Sequence, residues 1–303
     1  MKLRALILAA LLAGVVSGQA VPLQKAVALA PATMYLNPDK TSAQVGSVRP
    51  GMEIGEQSAS GAFVQVFANG VSGWIQNQDL AAYGDPESPE LIFGAAADLE
   101  HEAENSGGER QAAMDAARLY YTIYSDFPAS ARAAEALYRA ADVVWQVKLG
   151  EEPKRRTPNE RQFPDDAELR RVVGKFPGTP WAARAAYDLL IEHFTCGDWN
   201  DKPECALKEA GTYQDYVKKY PRGPMAAEAA YDAVYREGIA WTLYKPRDAG
   251  KASELERAVA RDAAALRANY SGTDWAAEAA LVAYHVAHGV ALTVPTVTPL
   301  GGP

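Results

Sequence analysis

Two hydrophobic rhythms divide this chain. Between Val27 and Tyr83 the apolar residues come in short runs broken by Gly, Pro, Asn and Ser, and beyond about residue 110 they recur at helical spacing. The helical part carries one motif four times. Phe127-Pro128-Ala129-Ser130 leads into Ala133, Ala134, Ala136 and Tyr138, and Phe176-Pro177-Gly178-Thr179 into Ala182, Ala183, Ala185 and Tyr187. Tyr220-Pro221-Arg222-Gly223 leads into Ala226, Ala227, Ala229 and Tyr231, and a degenerate Tyr270-Ser271-Gly272-Thr273 into Ala276, Ala277, Ala279 and Leu281. The copies lie 49, 44 and 50 residues apart. Self-similarity at such a period marks an α-solenoid of stacked helical hairpins.

With the proline (or Ser271) as position zero, positions −8, −5 and −1 are apolar or aromatic in every copy: Tyr120, Ile123, Phe127; Leu169, Val172, Phe176; Tyr213, Tyr216, Tyr220; Ala263, Leu266, Tyr270. That stripe predicts an amphipathic first helix with one buried face. Proline ends it, because it has no N–H to donate and clashes with the preceding turn. Ser130, Thr179, Gly223 and Thr273 then stand as N-caps of a second helix, and Pro180 and Pro224 suit a first helical position. The alanines let helices approach closely, since interaxial distance follows side-chain size. A hairpin of this kind cannot bury its apolar face alone and needs neighbours.

The expected helices are 89–104, 110–126, 130–147, 165–175, 180–194, 204–219, 224–241, 253–268 and 274–290, with Ser253-x-x-Glu256 as a capping box at one start. The expected strands are Val27–Leu29, Gln44–Val48, Met52–Gln57, Ala62–Phe67 and Gly73–Gln76, with Asn69-Gly70 as a hairpin turn. Asp85-Pro86-Glu87-Ser88-Pro89 reads as a boundary. The fold class is therefore multidomain, a small all-β unit followed by an all-α repeat array.

Composition changes this picture at the ends and in one loop. Lys2 and Arg4, the apolar run Ala5–Val16 and the small residues of Gly18-Gln19-Ala20 have the form of a secretory signal. Cleavage after Ala20 would move the net charge from −8 to −10. Acidity argues against nucleic acid, whose affinity comes largely from cations on phosphate. Cys196 and Cys205, the two cysteines, lie in one connection. In an exported protein that spacing favours a disulfide, worth roughly 2.5–3 kcal/mol on the entropic account, with two thiols or half a metal site as alternatives. No other segment is apolar enough to cross a bilayer. Lys148–Pro164 is a long connection holding Lys154, Arg155, Arg156 and Arg161, either a solvated run or a contact for an acidic partner.

The residues of the all-β unit also carry a resemblance. Tyr35-Leu36-Asn37-Pro38, Val45-Gly46-Ser47-Val48-Arg49-Pro50-Gly51, Phe63-Val64-Gln65-Val66, Gly70, Gly73-Trp74-Ile75 and Leu80 resemble, in that order, the bacterial SH3 family. The chain departs from that family's first loop at Leu36-Asn37-Pro38-Asp39. The resemblance implies a small β-barrel that binds cell-wall peptides or proteins, with Tyr35, Phe63 and Trp74 as groove candidates. A competing reading places Phe63 and Trp74 in the barrel core and leaves Tyr35 beside the loop. Residues 110–290 resemble the tetratricopeptide-like repeats of bacterial envelope proteins, of the Tol–Pal accessory and β-barrel assembly lipoprotein type. The spacing here is longer than the family's, and no lipid-attachment cysteine follows the leader. The divisions that follow are a signal peptide at 1–20, an SH3-like domain at 24–83, a linker at 84–89, helical repeats at 90–291 and a flexible tail at 292–303.

The four histidines form no ligand set in sequence, although His285 and His288 share a helix face. Gly-rich phosphate loops, His-Glu-x-x-His and Gly-x-Ser-x-Gly are absent. The expectation is a non-catalytic exported protein, periplasmic or secreted, without cofactor or metal. It would serve as a scaffold or adaptor for an envelope protein, a peptide or peptidoglycan, and would not span a membrane. An accessory subunit of a wall-remodelling enzyme is the alternative. Candidate groove residues on the first helices are Tyr121, Arg170, Arg171, Lys218 and Arg267.

Overall fold

The computed structural model describes residues 24–105, 110–151, 166–191, 199–200 and 202–294, with side chains to Lys148 in the second span and to Leu190 in the third. The expected signal peptide, the basic run 154–161 and Cys196 lie outside them. Seven strands and nine helices occur among the described residues. The strands are β1 Gln24–Ala28, β2 Ala32–Tyr35, β3 Gln44–Val48, β4 Glu53–Ser60, β5 Phe63–Ala68, β6 Val71–Gln76 and β7 Leu80–Ala82. They form one antiparallel sheet in the order β3-β2-β6-β5-β4-β1-β7. Asn69 (φ 53°) and Gly70 (φ 79°) make the predicted two-residue turn between β5 and β6.

β2 and β7 were not expected as strands, being four and three residues long. They are held by pairing with β3 and β6, and with β1. All seven strands contribute to one core of small aliphatic side chains, including Ala28, Met34, Val48, Ile54, Val66, Ile75 and Leu80. The sheet therefore curls around that core.

The helices are α1 Ser88–Asn105, α2 Arg110–Asp126, α3 Ala133–Glu151, α4 Ala167–Lys175, α5 Pro180–Ile191, α6 Pro203–Lys219, α7 Ala226–Tyr244, α8 Ala249–Asn269 and α9 Asp274–Ala287. From α2 onward they form four successive hairpins. At the joint of each hairpin the N–H of position +2 bonds the carbonyl of position −1: Ser130 to Phe127, Thr179 to Phe176, Gly223 to Tyr220 and Thr273 to Tyr270. Gly178 and Gly272 adopt φ of 82° and 85° there, as a type II turn requires. Thr179 and Thr273 cap the helices that follow by accepting from the Ala182 and Ala276 N–H groups. The alanines at +8, Ala136, Ala185, Ala229 and Ala279, are all 0% exposed. Close helix approach depends on them.

Several expectations are corrected, among them two caps: α3 begins at Ala133 and α7 at Ala226, after Met225, so Ser130 and Gly223 do not stand at their helix starts. α8 begins at Ala249, where the Asp248 side chain accepts from the Lys251 N–H, so Ser253 lies inside the helix and not at its cap. α1 begins at Ser88, inside the stretch read as a linker; Ser88 and Pro89 are buried, and Ser88 Oγ donates to the Ala82 carbonyl at 2.6 Å. Leu292 and Val294, read as the start of a flexible tail, pack against the last hairpins. Gly238 leaves the space, since a Cβ there would stand 2.6 Å from Leu292 Cδ1.

Sheet and helices share a core. Val27 and Ala81 pack with Ile92, Ala96, Leu119, Tyr120 and Ile123. The turn before β4 seats on α2: Arg118 Nη1 donates to the Pro50 carbonyl at 3.0 Å and to Asp115 at 2.8 Å, and Arg49 approaches the same buried carboxylate at 3.6 Å. Gly51, at φ 75°, is glycine because a Cβ would meet Arg118 Cγ at 2.6 Å.

Candidate binding sites

On the sheet, Val64, Val66 and Ala68 alternate with Phe63, Gln65 and Phe67, and only one set can face the core. Val64, Val66 and Ala68 do so. Phe63, Gln65 and Phe67 face outward, and Trp74, opposite Gln65, and Tyr35, opposite Trp74, share that outer face. The reading that put Phe63 and Trp74 in the core is thus overturned: Ile, Val and Met fill so small an interior, and the aromatics are left outside. Tyr35, Phe63 and Trp74 are half-buried, and the Tyr35 and Phe63 rings meet edge to face at 6.3 Å. Phe67 is 47% exposed. Ser58 Oγ donates to Gln65 Oε1 at 2.9 Å on the same face. The result is an aromatic surface edged by hydroxyl and amide groups.

The groove candidates of the first helices are exposed but do not converge. Arg170 bonds Asp166 at 2.9 Å, Arg171 bonds Glu168 at 2.8 Å and Lys218 bonds Asp215 at 2.8 Å, each about one turn away on or beside its own helix. Exposed pairs of this type contribute only ~0.2–1 kcal/mol. Tyr121 stacks edge-on against Tyr124 at 5.6 Å, and Tyr124 reaches Phe176 of the next hairpin at 6.1 Å. Arg267 is exposed on α8.

Lys218 does line a cleft of about 320 Å³ between α6, α7 and α8. Gln214, Val217 and Lys218 form one wall, and Arg261, Asp262, Leu266, Asn269 and Tyr270 the other. Ala230, Ala233 and Ala265 open it by being small. Gln214 Nε2 donates to Glu237 Oε1 at 2.7 Å and approaches Asp262 Oδ2 at 3.3 Å. Arg261 forks onto Asp262 at 2.7 and 3.0 Å. Glu237 is buried on α7, and its Oε2 has no hydrogen-bond donor in reach. Burial first, and Asp262 second, push its carboxyl up to about 8.

Sequence reading missed Gln214, Glu237, Arg261 and Asp262. The available signal was Glu237 itself, an acid beside the apolar run Gly238-Ile239-Ala240-Trp241.

Two further polar groupings are structural. Arg236, buried, bonds Glu209 at 3.2 Å, Asp232 at 2.7 Å and the Tyr213 hydroxyl at 3.2 Å, while Trp199 Nε1 donates to Glu209 at 2.9 Å. Every partner there is satisfied. The tyrosines at +10 reach the following copy: the Tyr138 hydroxyl donates to Asp188 at 2.9 Å and that of Tyr187 to Asp232 at 2.8 Å. Among the described residues no three His, Cys, Asp or Glu side chains gather as metal ligands, and His288 Nδ1 lies 2.8 Å from the Tyr284 carbonyl. No described helix is long and apolar enough to cross a membrane.

No protein-family model matches the chain, and no curated protein does. Among solved structures it is similar to designed helical assemblies. The DHF58 filament is 18% identical over 66% of this chain and 91% of its own, at a TM-score of 0.22. The DHF79 filament is 19% identical over 67% and 100%, at 0.21. The de novo designed helical repeat protein DHR64 is 20% identical over 68% and 94%, at 0.21. At such TM-scores the likeness carries no argument, and the fold rests on this chain's own structure.

Proposed function

We propose that this chain is a non-catalytic binding scaffold of the bacterial envelope, whose helical array takes an extended peptide or a segment of a partner protein. The carrying observation is the cleft between α6 and α8, floored by α7, which combines an apolar floor with amide, ammonium and guanidinium groups on its walls. Ligand sites are concave and mostly apolar, with a few placed polar groups. The envelope setting rests on the leader-like residues 1–20 and on the resemblances to bacterial SH3 and tetratricopeptide-like proteins.

A random peptide library selected on the full chain tests this. Peptides so obtained bind wild type, and Ala265→Trp, which fills the cleft, weakens them at least about tenfold (1.4 kcal/mol) with unchanged circular dichroism. Peptides that bind both proteins equally overturn the reading.

The outward aromatics favour a second reading, attachment to wall polymer through the sheet. Tyr35, Phe63 and Trp74 present ring faces and edges beside Gln65 and Ser58, a surface on which extended polymers can lie. Co-sedimentation with purified sacculi is expected for wild type and lost on Trp74→Ala. Clearing of a peptidoglycan gel by the purified protein would instead support the enzyme-associated alternative.

A further inference from the structure

The buried carboxyl beneath the cleft has a consequence separate from ligand binding. Glu237 Oε1 already accepts from Gln214, and Oε2 is enclosed with no N–H or O–H directed at it. A buried carboxylate oxygen without a donor is costly, whereas a carboxylic acid supplies its own. Asp262, on the neighbouring helix, shares the Gln214 amide with this carboxyl, at 3.3 Å against 2.7 Å, and pairs with Arg261. We propose that Glu237 is the neutral acid at neutral pH, that it donates its proton to Asp262, and that this bond is a proton-sensitive latch joining α7 to α8 under the cleft.

The groups that face Glu237 are few. From α6 comes the neutral amide of Gln214, with Lys218 one turn on, bonded to Asp215. From α8 come Asp262 and Arg261, whose guanidinium is 68% exposed and held on Asp262. From α9, which also packs on α7, Val282 and Val286 meet the adjacent Gly238. Among the described residues, none of these groups is a buried cation placed to neutralise a second charge. Loss of the proton leaves two carboxylates close together and partly desolvated, so α7 and α8 repel where they now bond.

The sign follows from linkage. The folded chain holds a proton that the unfolded chain releases above about pH 4.5, and it gives that proton up only near pH 8. The latch's contribution is therefore full below about pH 4.5, falls as pH rises and is gone above about 8.

The test is urea unfolding of the full chain from pH 5 to 9 for wild type and E237Q, whose amide keeps a donor without titrating. Across pH 5–8 the wild-type unfolding constant is expected to rise, relative to E237Q, by up to about tenfold per pH unit, one proton's worth, and to level off beyond. Parallel profiles overturn the proposal. Infrared spectra of wild type give an independent answer should E237Q fail to fold. A protonated-carboxyl band at pH 7 that disappears near pH 8 supports the latch, and its absence at pH 7 overturns it.

Discussion

Tyr138 and Tyr187 each send a hydroxyl to an aspartate one hairpin further on, so a single side chain ties two repeats together. Tyr187→Phe removes a bond to a charged acceptor and is expected to cost about 1.5–3 kcal/mol in urea unfolding. Tyr231→Phe should stay within about 0.5 kcal/mol, because Val282 stands where the next aspartate would be. The succession Tyr-Asp at 187–188 and 231–232 was visible in the chain. Its meaning was not, since each tyrosine pairs with the aspartate of the following copy and not with its own neighbour. Glycine offers a second contrast. Gly51→Ala meets both a positive φ and Arg118, and should lose more stability than Gly61→Ala, whose φ is 58° but whose surroundings are open. The backbone part alone is about 1–2 kcal/mol.

Among the elements, the helix ends show where local pattern reading succeeds and where it slips. Proline or glycine turns closed by the same −1 to +2 bond occur in all four copies, as the spacing predicted. The start of α8 was misplaced because Ser253-x-x-Glu256 matches a capping box. In the fold, Asp248 takes the capping bond and Ser253 is an exposed acceptor for Arg257. Asp248→Ala is accordingly expected to lower stability by about 1 kcal/mol and Ser253→Ala by much less, by chemical denaturation. Ala229→Leu, at a site with no exposed surface, should cost about 1–3 kcal/mol or prevent the second and third hairpins from stacking.

Across the whole molecule, the sheet and the first helices share one core through Val27, Ala81 and Ile92. Ile92→Ala should therefore cost about 2–5 kcal/mol and raise hydrogen exchange in β1 and β7 as well as in α1–α3. Exchange confined to the helices would show that the sheet stands independently. Cys205 is buried among the last hairpins, and its expected disulfide with Cys196 is checked by thiol titration of the denatured, unreduced chain, which should find no free thiol.

Periodicity along the chain was enough to establish the helical hairpins, their joints, the Asn69-Gly70 turn and the division into an all-β and an all-α part. Each of those rests on interactions within a few residues, and a local pattern records them directly. Which face of β5 turns outward depended on the packing of seven short strands, because a slip of one residue exchanges the two faces. The meeting of Gln214, Glu237 and Asp262 likewise required three helices to stack, with partners 23 and 48 residues apart. Contacts over such distances leave no periodic trace, since their geometry is set by how the hairpins lie against one another.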